Sequence, residues 1–181
     1  MNVMTLELQD KRIAILADNL YQEMELWYPL YRLEEAGASV DVIATEAGKT
    51  YTSKLGYPVK SKHSYIGVQA SDYDGVIIPG GFAPDYMRRI DRACNFVADI
   101  HKQGKLVAAI CHGPWMMCSA DVLRGRRATS FFSIKTDVVN AGAIWEDAEV
   151  VVDGNLVTSR KPEDLPAFMR ACIAVISGKT A

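Results

Sequence analysis

Five short apolar runs stand out along this chain, and most of them are continuous rather than alternating with polar residues. Continuous runs of this length are typical of strands that are covered on both faces, as in a parallel sheet between layers of helices. The pattern therefore predicts strands at residues 13–17, 40–44, 75–78, 106–110 and 150–152, the last one followed by Leu156 and Val157.

Between these runs lie stretches whose apolar residues recur at helical spacing. Residues 22–36 form one such stretch, and Gly37 follows it, as suits a left-handed C-terminal cap. The segment 51–63 contains Gly56 and Pro58 and predicts a small hairpin or arm. Three further helices are predicted, over residues 85–103, from Pro114 onward and over residues 163–176. Strands that alternate with helices indicate an α/β sandwich with a mostly parallel central sheet.

Length and charge limit the class of protein. A chain of 181 residues without internal repeats is expected to form one domain over residues 1–181. Its formal net charge of −2 comes from interspersed residues of both signs, so nucleic acid is not an expected partner. The chain has no apolar run of about 18 residues, and its first residues lack the order of a signal peptide. We therefore expect a soluble, cytoplasmic protein without a membrane partner.

Cysteine and histidine are few enough to consider one by one. The cysteines show no CxxC or CxxH spacing, which favours reduced thiols over a zinc site or a disulfide framework; they are Cys94, Cys111, Cys118 and Cys172. The sequence also lacks a P-loop, a GxGxxG motif after its first strand and a carboxylate and histidine cluster at ligand spacing. We therefore expect neither a metal nor a nucleotide cofactor.

The fourth apolar run ends in Cys111-His112-Gly113-Pro114, which favours a tight turn from a strand into a helix. Ligands of open α/β sheets bind at the carboxyl ends of strands, and such a turn exposes its central side chain there. Backbone N–H groups and a helix N-terminus are expected to lower the pKa of a thiol in this position. Cys111 is therefore the best candidate nucleophile, but a cysteine that merely ends a buried strand gives the same pattern. The other three cysteines lie in helical stretches and are assigned to core packing.

A thiolate catalyst needs a proton carrier, usually a histidine. His112 is favoured because it is adjacent to Cys111 in the expected turn. His101 lies near the end of a predicted helix, where solvent or the helix dipole explains it, and His63 lies in the polar arm.

Two other strand ends carry residues of interest. Pro79-Gly80-Gly81 is either a simple loop or a turn whose N–H groups face a developing oxyanion. Glu23 and Glu25 begin the first helix, and one carboxyl group could face the same crevice. Acidic residues are common in a first helical turn because they favour the dipole, so at most one of the two is expected to be functional.

Several motifs follow one another along nearly the whole chain: Glu23-Met24-Glu25-Leu26, Ile78-Pro79-Gly80-Gly81 with Ala83-Pro84-Asp85, Ala109-Ile110-Cys111-His112-Gly113-Pro114, and residues 121–126, 140–143, 147–153 and 156–160. In their order and spacing they resemble the PfpI-type intracellular proteases and deglycases of the ThiJ/PfpI superfamily, which have a class I glutamine amidotransferase-like fold. Glutamine amidotransferases themselves need a later histidine, and none follows His112.

The resemblance implies a flavodoxin-like three-layer sandwich in which Cys111 is the nucleophile on the elbow. It implies that Glu25 is a protonated acid beside the thiolate, and that His112 is the catalytic histidine. It also implies an oxyanion hole formed by the N–H groups of Gly81 and His112. In this subfamily the carboxylate that orients the histidine comes from a neighbouring subunit, at the position of Asp85, so a homodimer or hexamer is expected.

The function that the resemblance implies is that of a cysteine-dependent hydrolase, with deglycase or glutathione-independent glyoxalase activity. Its partners would be small carbonyl compounds and glycated proteins or peptides. The alternatives are an intracellular cysteine peptidase and a non-enzymatic redox sensor or stress chaperone that uses oxidation of Cys111. Two positions depart from many relatives: Asp85 stands where they have Glu, and Phe82 where some have a polar or basic residue.

Overall fold

The computed structural model describes residues 6–179, and within them lie eleven strands: β1 (Arg12–Leu16), β2 (Ser39–Ala44), β3 (Thr50–Thr52), β4 (Pro58–Lys60), β5 (His63–Ser64), β6 (Gly75–Ile78), β7 (Leu106–Ile110), β8 (Arg127–Ala128), β9 (Ile144–Trp145), β10 (Val150–Asp153) and β11 (Leu156–Ser159). Seven of these strands form one sheet in the order β10-β11-β7-β6-β1-β2-β5. All neighbours in this sheet are parallel except β10 and β11, which form an antiparallel pair.

Six α-helices lie within the same residues: α1 (Glu23–Glu35), α2 (Ala83–Met87), α3 (Asp91–Lys102), α4 (Pro114–Ser119), α5 (Lys135–Asn140) and α6 (Leu165–Ile176). Helices α1 and α6 contact each other, whereas α4 contacts α2, α3 and α5. The chain passes from β1 to β2 toward one edge of the sheet and from β6 to β7 toward the other edge. Because both crossovers are right-handed, the helices that follow β1 and β6 lie on opposite faces of the sheet. The predicted flavodoxin-like three-layer sandwich is confirmed. Within the described part of the chain, no helix is both long and apolar enough to cross a membrane.

Most of the predicted elements occur within one or two residues of their expected bounds, but the single helix at residues 85–103 is wrong. That stretch contains α2 and α3, which are separated at Ile90, where the backbone is extended with φ −107° and ψ 106°. The carbonyl of Ile90 accepts the N–H groups of Ala93 and Cys94, so a new helix starts there. Ile90 also packs against the core, and its apolar side chain therefore hides the break in the sequence pattern.

The predicted hairpin is formed by β3 and β4, and it is tied to the loop after β1. The N–H of Leu20 donates to the carbonyl of Thr52 at 2.7 Å, and the hydroxyl of Tyr21 donates to the carbonyl of Tyr57 at 2.7 Å. The strand order reverses between β1 and β6, so the loops that follow β1, β6 and β7 meet at one edge of the sheet. This is the place where open α/β sheets form a binding crevice.

Candidate active site

Cys111 lies in the sharp turn between β7 and α4. Its φ of 63° is in the left-handed region, which is strained for a residue with a side chain. The turn is held by the N–H of Cys111, which donates to the carbonyl of Ser159 at 3.1 Å. Gly113 allows the close packing of the turn, because a Cβ there would lie 2.4 Å from the carbonyl oxygen of Ile78. The predicted elbow is therefore present in the structure.

The glycine pair after β6 lies against this elbow. A Cβ on Gly80 would be 2.6 Å from Glu25 Oε2 and 2.7 Å from Cys111 Cβ, so only glycine lets this loop approach Glu25 and the elbow so closely. The N–H of Gly80 donates to Glu25 Oε2 at 2.7 Å. Gly81 has a φ of 78°, and its N–H and that of His112 both lower the pKa of the Cys111 thiol. This turn is thus part of the site and more than a loop.

Of the two glutamates at the start of α1, the structure brings Glu25 to the thiol. Glu25 is fully buried, and its N–H donates to Gln22 Oε1 at 2.9 Å. Burial raises the pKa of Glu25 to about 7, against the opposing effects of the Gly80 N–H and a hydrogen bond with Cys111. Glu23 lies nearer the surface and accepts the N–H of Leu55 at 2.5 Å, so it binds the hairpin and not the thiol.

The expectation that the turn lowers the pKa of the thiol is wrong for this structure. Burial, and then the nearby Glu25 carboxylate, raise the pKa of Cys111 to about 12. The N–H groups of Gly81 and His112 lower it, but the loss of solvent outweighs them. Glu25 and Cys111 thus form a buried pair whose pKa values are both raised, and the pair titrates as one unit.

His112 is the histidine that the structure brings to the thiol, with Nδ1 3.2 Å from Cys111 Sγ. Burial and the positive charge of Lys54 lower the pKa of His112, which keeps its ring neutral and able to accept a proton. The ring stacks on Phe131 at a centroid distance of 5.1 Å, and its Nε2 lies 3.2 Å from Ser133 Oγ. Phe131 and Ser133 were not predicted from the sequence, because they follow no strand of the main sheet and belong to no recognised motif.

The other candidate residues lie away from the thiol. Asp85 is in the first turn of α2, where its carboxylate pairs with Arg89, and it makes no hydrogen bond to His112 of the same chain within residues 6–179. The ring of His63 lies 3.6 Å from the carboxylate of the buried Asp41. Phe82 is 59% exposed at the end of the glycine turn.

The four cysteines are free thiols, and three of them belong to the core or its margin. Cys172 is fully buried in α6, whereas Cys94 and Cys118 are half-buried and pack against the core from α3 and α4. Across residues 6–179, no three side chains of His, Cys, Asp or Glu lie together in a way that could hold a metal ion. Cys111 is the cysteine that combines an acid, a base and two N–H groups around its sulfur.

Comparison with known proteins identifies relatives that are similar over most of the chain. The DJ-1/PfpI family model matches residues 11–175, a range that includes every loop of the site. The chain is 44% identical over 165 residues to the deglycase PH1704 of Pyrococcus horikoshii, covering 91% of this chain and 99% of that protein. It is 45% identical over 166 residues to YraA of Bacillus subtilis, which is named provisionally as a cysteine protease, covering 92% and 98%. A crystal structure from Anabaena variabilis with DJ-1/ThiJ/PfpI-like and ferritin-like domains superposes with a TM-score of 0.90 at 41% identity, covering 94% of this chain and 49% of that chain.

Proposed function

The chain belongs to the DJ-1/PfpI family, and we propose that it is a cysteine-dependent hydrolase with deglycase or glutathione-independent glyoxalase activity. The observation that carries the proposal is the strained elbow, in which Cys111 has a φ of 63° and its Sγ lies 3.2 Å from His112 Nδ1. Such backbone strain costs about 1–3 kcal/mol and is concentrated at functional sites. The name of the Pyrococcus horikoshii deglycase supports the choice of carbonyl adducts as the substrate class.

In the proposed reaction, His112 Nδ1 takes the thiol proton and the Cys111 thiolate adds to the aldehyde carbon of a 1,2-dicarbonyl such as methylglyoxal. The electron pair of the C=O bond moves to the oxygen, which the N–H groups of Gly81 and His112 stabilise before His112 returns the proton. A proton then moves from the adduct carbon to the neighbouring carbonyl carbon, and the hydroxyl proton moves from the adduct oxygen to the neighbouring oxygen, which converts the hemithioacetal into a thioester. Water then releases a hydroxy acid and restores the thiol.

Two carboxyl groups are proposed to tune this reaction. Glu25 shares a proton with Cys111, so that a thiolate can exist beside a neutral acid in the buried site. Asp85 of a neighbouring subunit is proposed to contribute to the orientation of His112, in a homodimer or hexamer. In support of this role, the Asp85 side chain lies at the surface of α2, with 42% of its area exposed.

The test is a comparison of wild type, Cys111→Ala and Cys118→Ala, with methylglyoxal, a methylglyoxal-modified peptide and an unmodified fluorescent peptide as substrates. We expect Cys111→Ala to lower the rate of carbonyl consumption at least about a thousandfold, as for removal of other nucleophiles. Cys118→Ala is the matched control, because it removes a half-buried thiol of the adjacent helix. Full activity in Cys111→Ala would show that the nucleophile is assigned incorrectly. Cleavage of the unmodified peptide alone would favour a peptidase, as the name of YraA suggests.

A second candidate function is that of a redox sensor or stress chaperone. It is favoured by Glu25 Oε1, which is buried and has no hydrogen-bonded nitrogen or oxygen partner among residues 6–179. A protonated carboxyl group in this position could donate to an oxygen atom of a sulfinate on Cys111. Intact mass after mild peroxide distinguishes the two functions: a gain of two oxygen atoms on Cys111, without turnover of any of the substrates, would favour sensing.

A further inference from the structure

The imidazole of His112 has a polar neighbour at each of its nitrogens. Nδ1 lies 3.2 Å from Cys111 Sγ, and Nε2 lies 3.2 Å from Ser133 Oγ. The Ser133 contact joins residues 21 positions apart in the chain, so it depends on the fold and not on local backbone geometry. The hydroxyl of Ser133 therefore occupies the side of the ring that faces away from the thiol.

Aromatic residues limit the rotation of this ring. Phe131 stacks on His112 with an angle of 29° between the ring planes, and Trp115 meets it edge-on at a centroid distance of 5.2 Å. Phe131 is fixed to the elbow, because its N–H donates to the carbonyl of Cys111 at 2.9 Å. Ser133 follows two residues later, so the segment that stacks on the ring also supplies the oxygen atom at Nε2.

From these contacts we propose that Ser133 is a positioning residue that keeps the proton of neutral His112 on Nε2. A neutral imidazole has one N–H donor and one acceptor nitrogen, and the group that binds the N–H decides which nitrogen is which. With Nε2–H donating to Ser133 Oγ, the lone pair of Nδ1 faces the thiol. The catalytic role of Ser133 rests on the proposed function. The position of the proton on the ring does not, because it can be observed without turnover.

The consequence for the proposed reaction is a proton transfer in which one bond breaks and one forms. The S–H bond of Cys111 breaks, its electron pair stays on the sulfur, and the proton binds Nδ1. The resulting imidazolium keeps its Nε2–H bond to Ser133, so the ring does not turn during the step. The Ser133 hydroxyl retains its own hydrogen throughout the step.

The experiment uses protein labelled with ¹⁵N in histidine and compares wild type, Ser133→Ala, Ser133→Thr and Thr136→Ala. Thr136 is the matched control, because it is an exposed hydroxyl residue on the next turn of the same segment. In wild type we expect His112 to show a protonated Nε2 and an unprotonated Nδ1. In Ser133→Ala the two resonances should move toward each other, and kcat/KM should fall about tenfold with KM unchanged. Ser133→Thr should restore both, and Thr136→Ala should change neither.

The proposal is overturned if Ser133→Ala leaves the nitrogen resonances and kcat as they are in wild type, or if Ser133→Thr fails to restore them while remaining folded. A rise in KM alone would also overturn it, because that result assigns Ser133 to substrate binding. Failure of the proposed function has a different signature. In that case Cys111→Ala keeps its activity, while the nitrogen resonances of His112 still depend on the Ser133 hydroxyl.

Discussion

At the scale of single residues, burial raises the pKa of two neighbouring acidic groups, the Glu25 carboxyl and the Cys111 thiol. It raises the pKa of Glu25 to about 7 and that of Cys111 to about 12. Because the groups interact, these values describe the pair, whose first proton leaves near pH 7 and whose second leaves near pH 12. Between the two values the pair holds one proton, which lies mainly on the sulfur, and the thiolate exists in the minor form that has this proton on the carboxyl group.

This pair predicts the pH dependence of thiol reactivity. In wild type, the rate of Cys111 alkylation by iodoacetamide should rise through a step near pH 7, because loss of the first proton creates the form that contains a thiolate. In Glu25→Gln this step should disappear, and the rise should move to higher pH, because only the buried thiol is left to lose a proton. The measurement is the alkylation rate across pH, with mass spectrometry to confirm that Cys111 is modified.

Glu23→Gln is the control for this experiment. It removes a carboxylate from the same helical turn, but this carboxylate binds the N–H of Leu55 in the hairpin. It should keep the step near pH 7. If the step persists in Glu25→Gln, Glu25 does not share its proton with the thiol, and another group, such as His112, controls the reactivity.

At the scale of elements, the sequence predicted those parts of the fold that burial alone determines. Strands β6 and β7 have the bounds of their apolar runs, because every residue in them is buried. The break between α2 and α3 was not predictable, because it depends on the extended backbone of Ile90 and not on apolar spacing. Strands β8 and β9 have two residues each, which is too short for any periodicity to be visible.

The loop after β6 gives a prediction at this scale, because its packing against the elbow has no room for a side chain. In Gly80→Ala, the new methyl group would meet Glu25 Oε2 at 2.6 Å, Cys111 Cβ at 2.7 Å and the backbone nitrogen of His112 at 2.9 Å. We expect a loss of about 1–3 kcal/mol in the free energy of unfolding, as for other overpacked sites. Urea denaturation measures this loss.

Gly67→Ala is the control for Gly80→Ala, because the nearest atoms to its added Cβ are 3.7 Å away, at ordinary contact distance. Its free energy of unfolding should stay within about 0.5 kcal/mol of wild type. Equal stability of Gly80→Ala and wild type would mean that the elbow moves freely against the loop, which contradicts a preorganised site.

At the scale of the whole molecule, the parts of the site that lie at strand ends could be found from the sequence. Cys111 and Gly81 follow adjacent parallel strands, so topology alone brings them to one edge of the sheet. Ser133 and Phe131 belong to a segment that reaches His112 through tertiary packing. Their spacing in the sequence does not predict this contact. The direction of the pKa shift of the Cys111 thiol could not be predicted from the sequence either, because the shift depends on how much solvent the folded loops exclude.

The proposed contribution of Asp85 to the site of a neighbouring subunit is tested by mixing two defective variants, Cys111→Ala and Asp85→Asn. If Asp85 acts on His112 of a neighbouring subunit, a mixed dimer contains one site with an intact thiol from one chain and an intact carboxylate from the other. Random exchange of subunits should then restore about a quarter of the wild-type activity, because about half of the dimers are mixed and one of their two sites is complete. Activity is measured after the variants are unfolded and refolded together, with each variant refolded alone as the control. No recovery beyond the sum of the separate activities would show that Asp85 acts within its own chain or not at all, and would leave Ser133 as the polar partner of His112 Nε2.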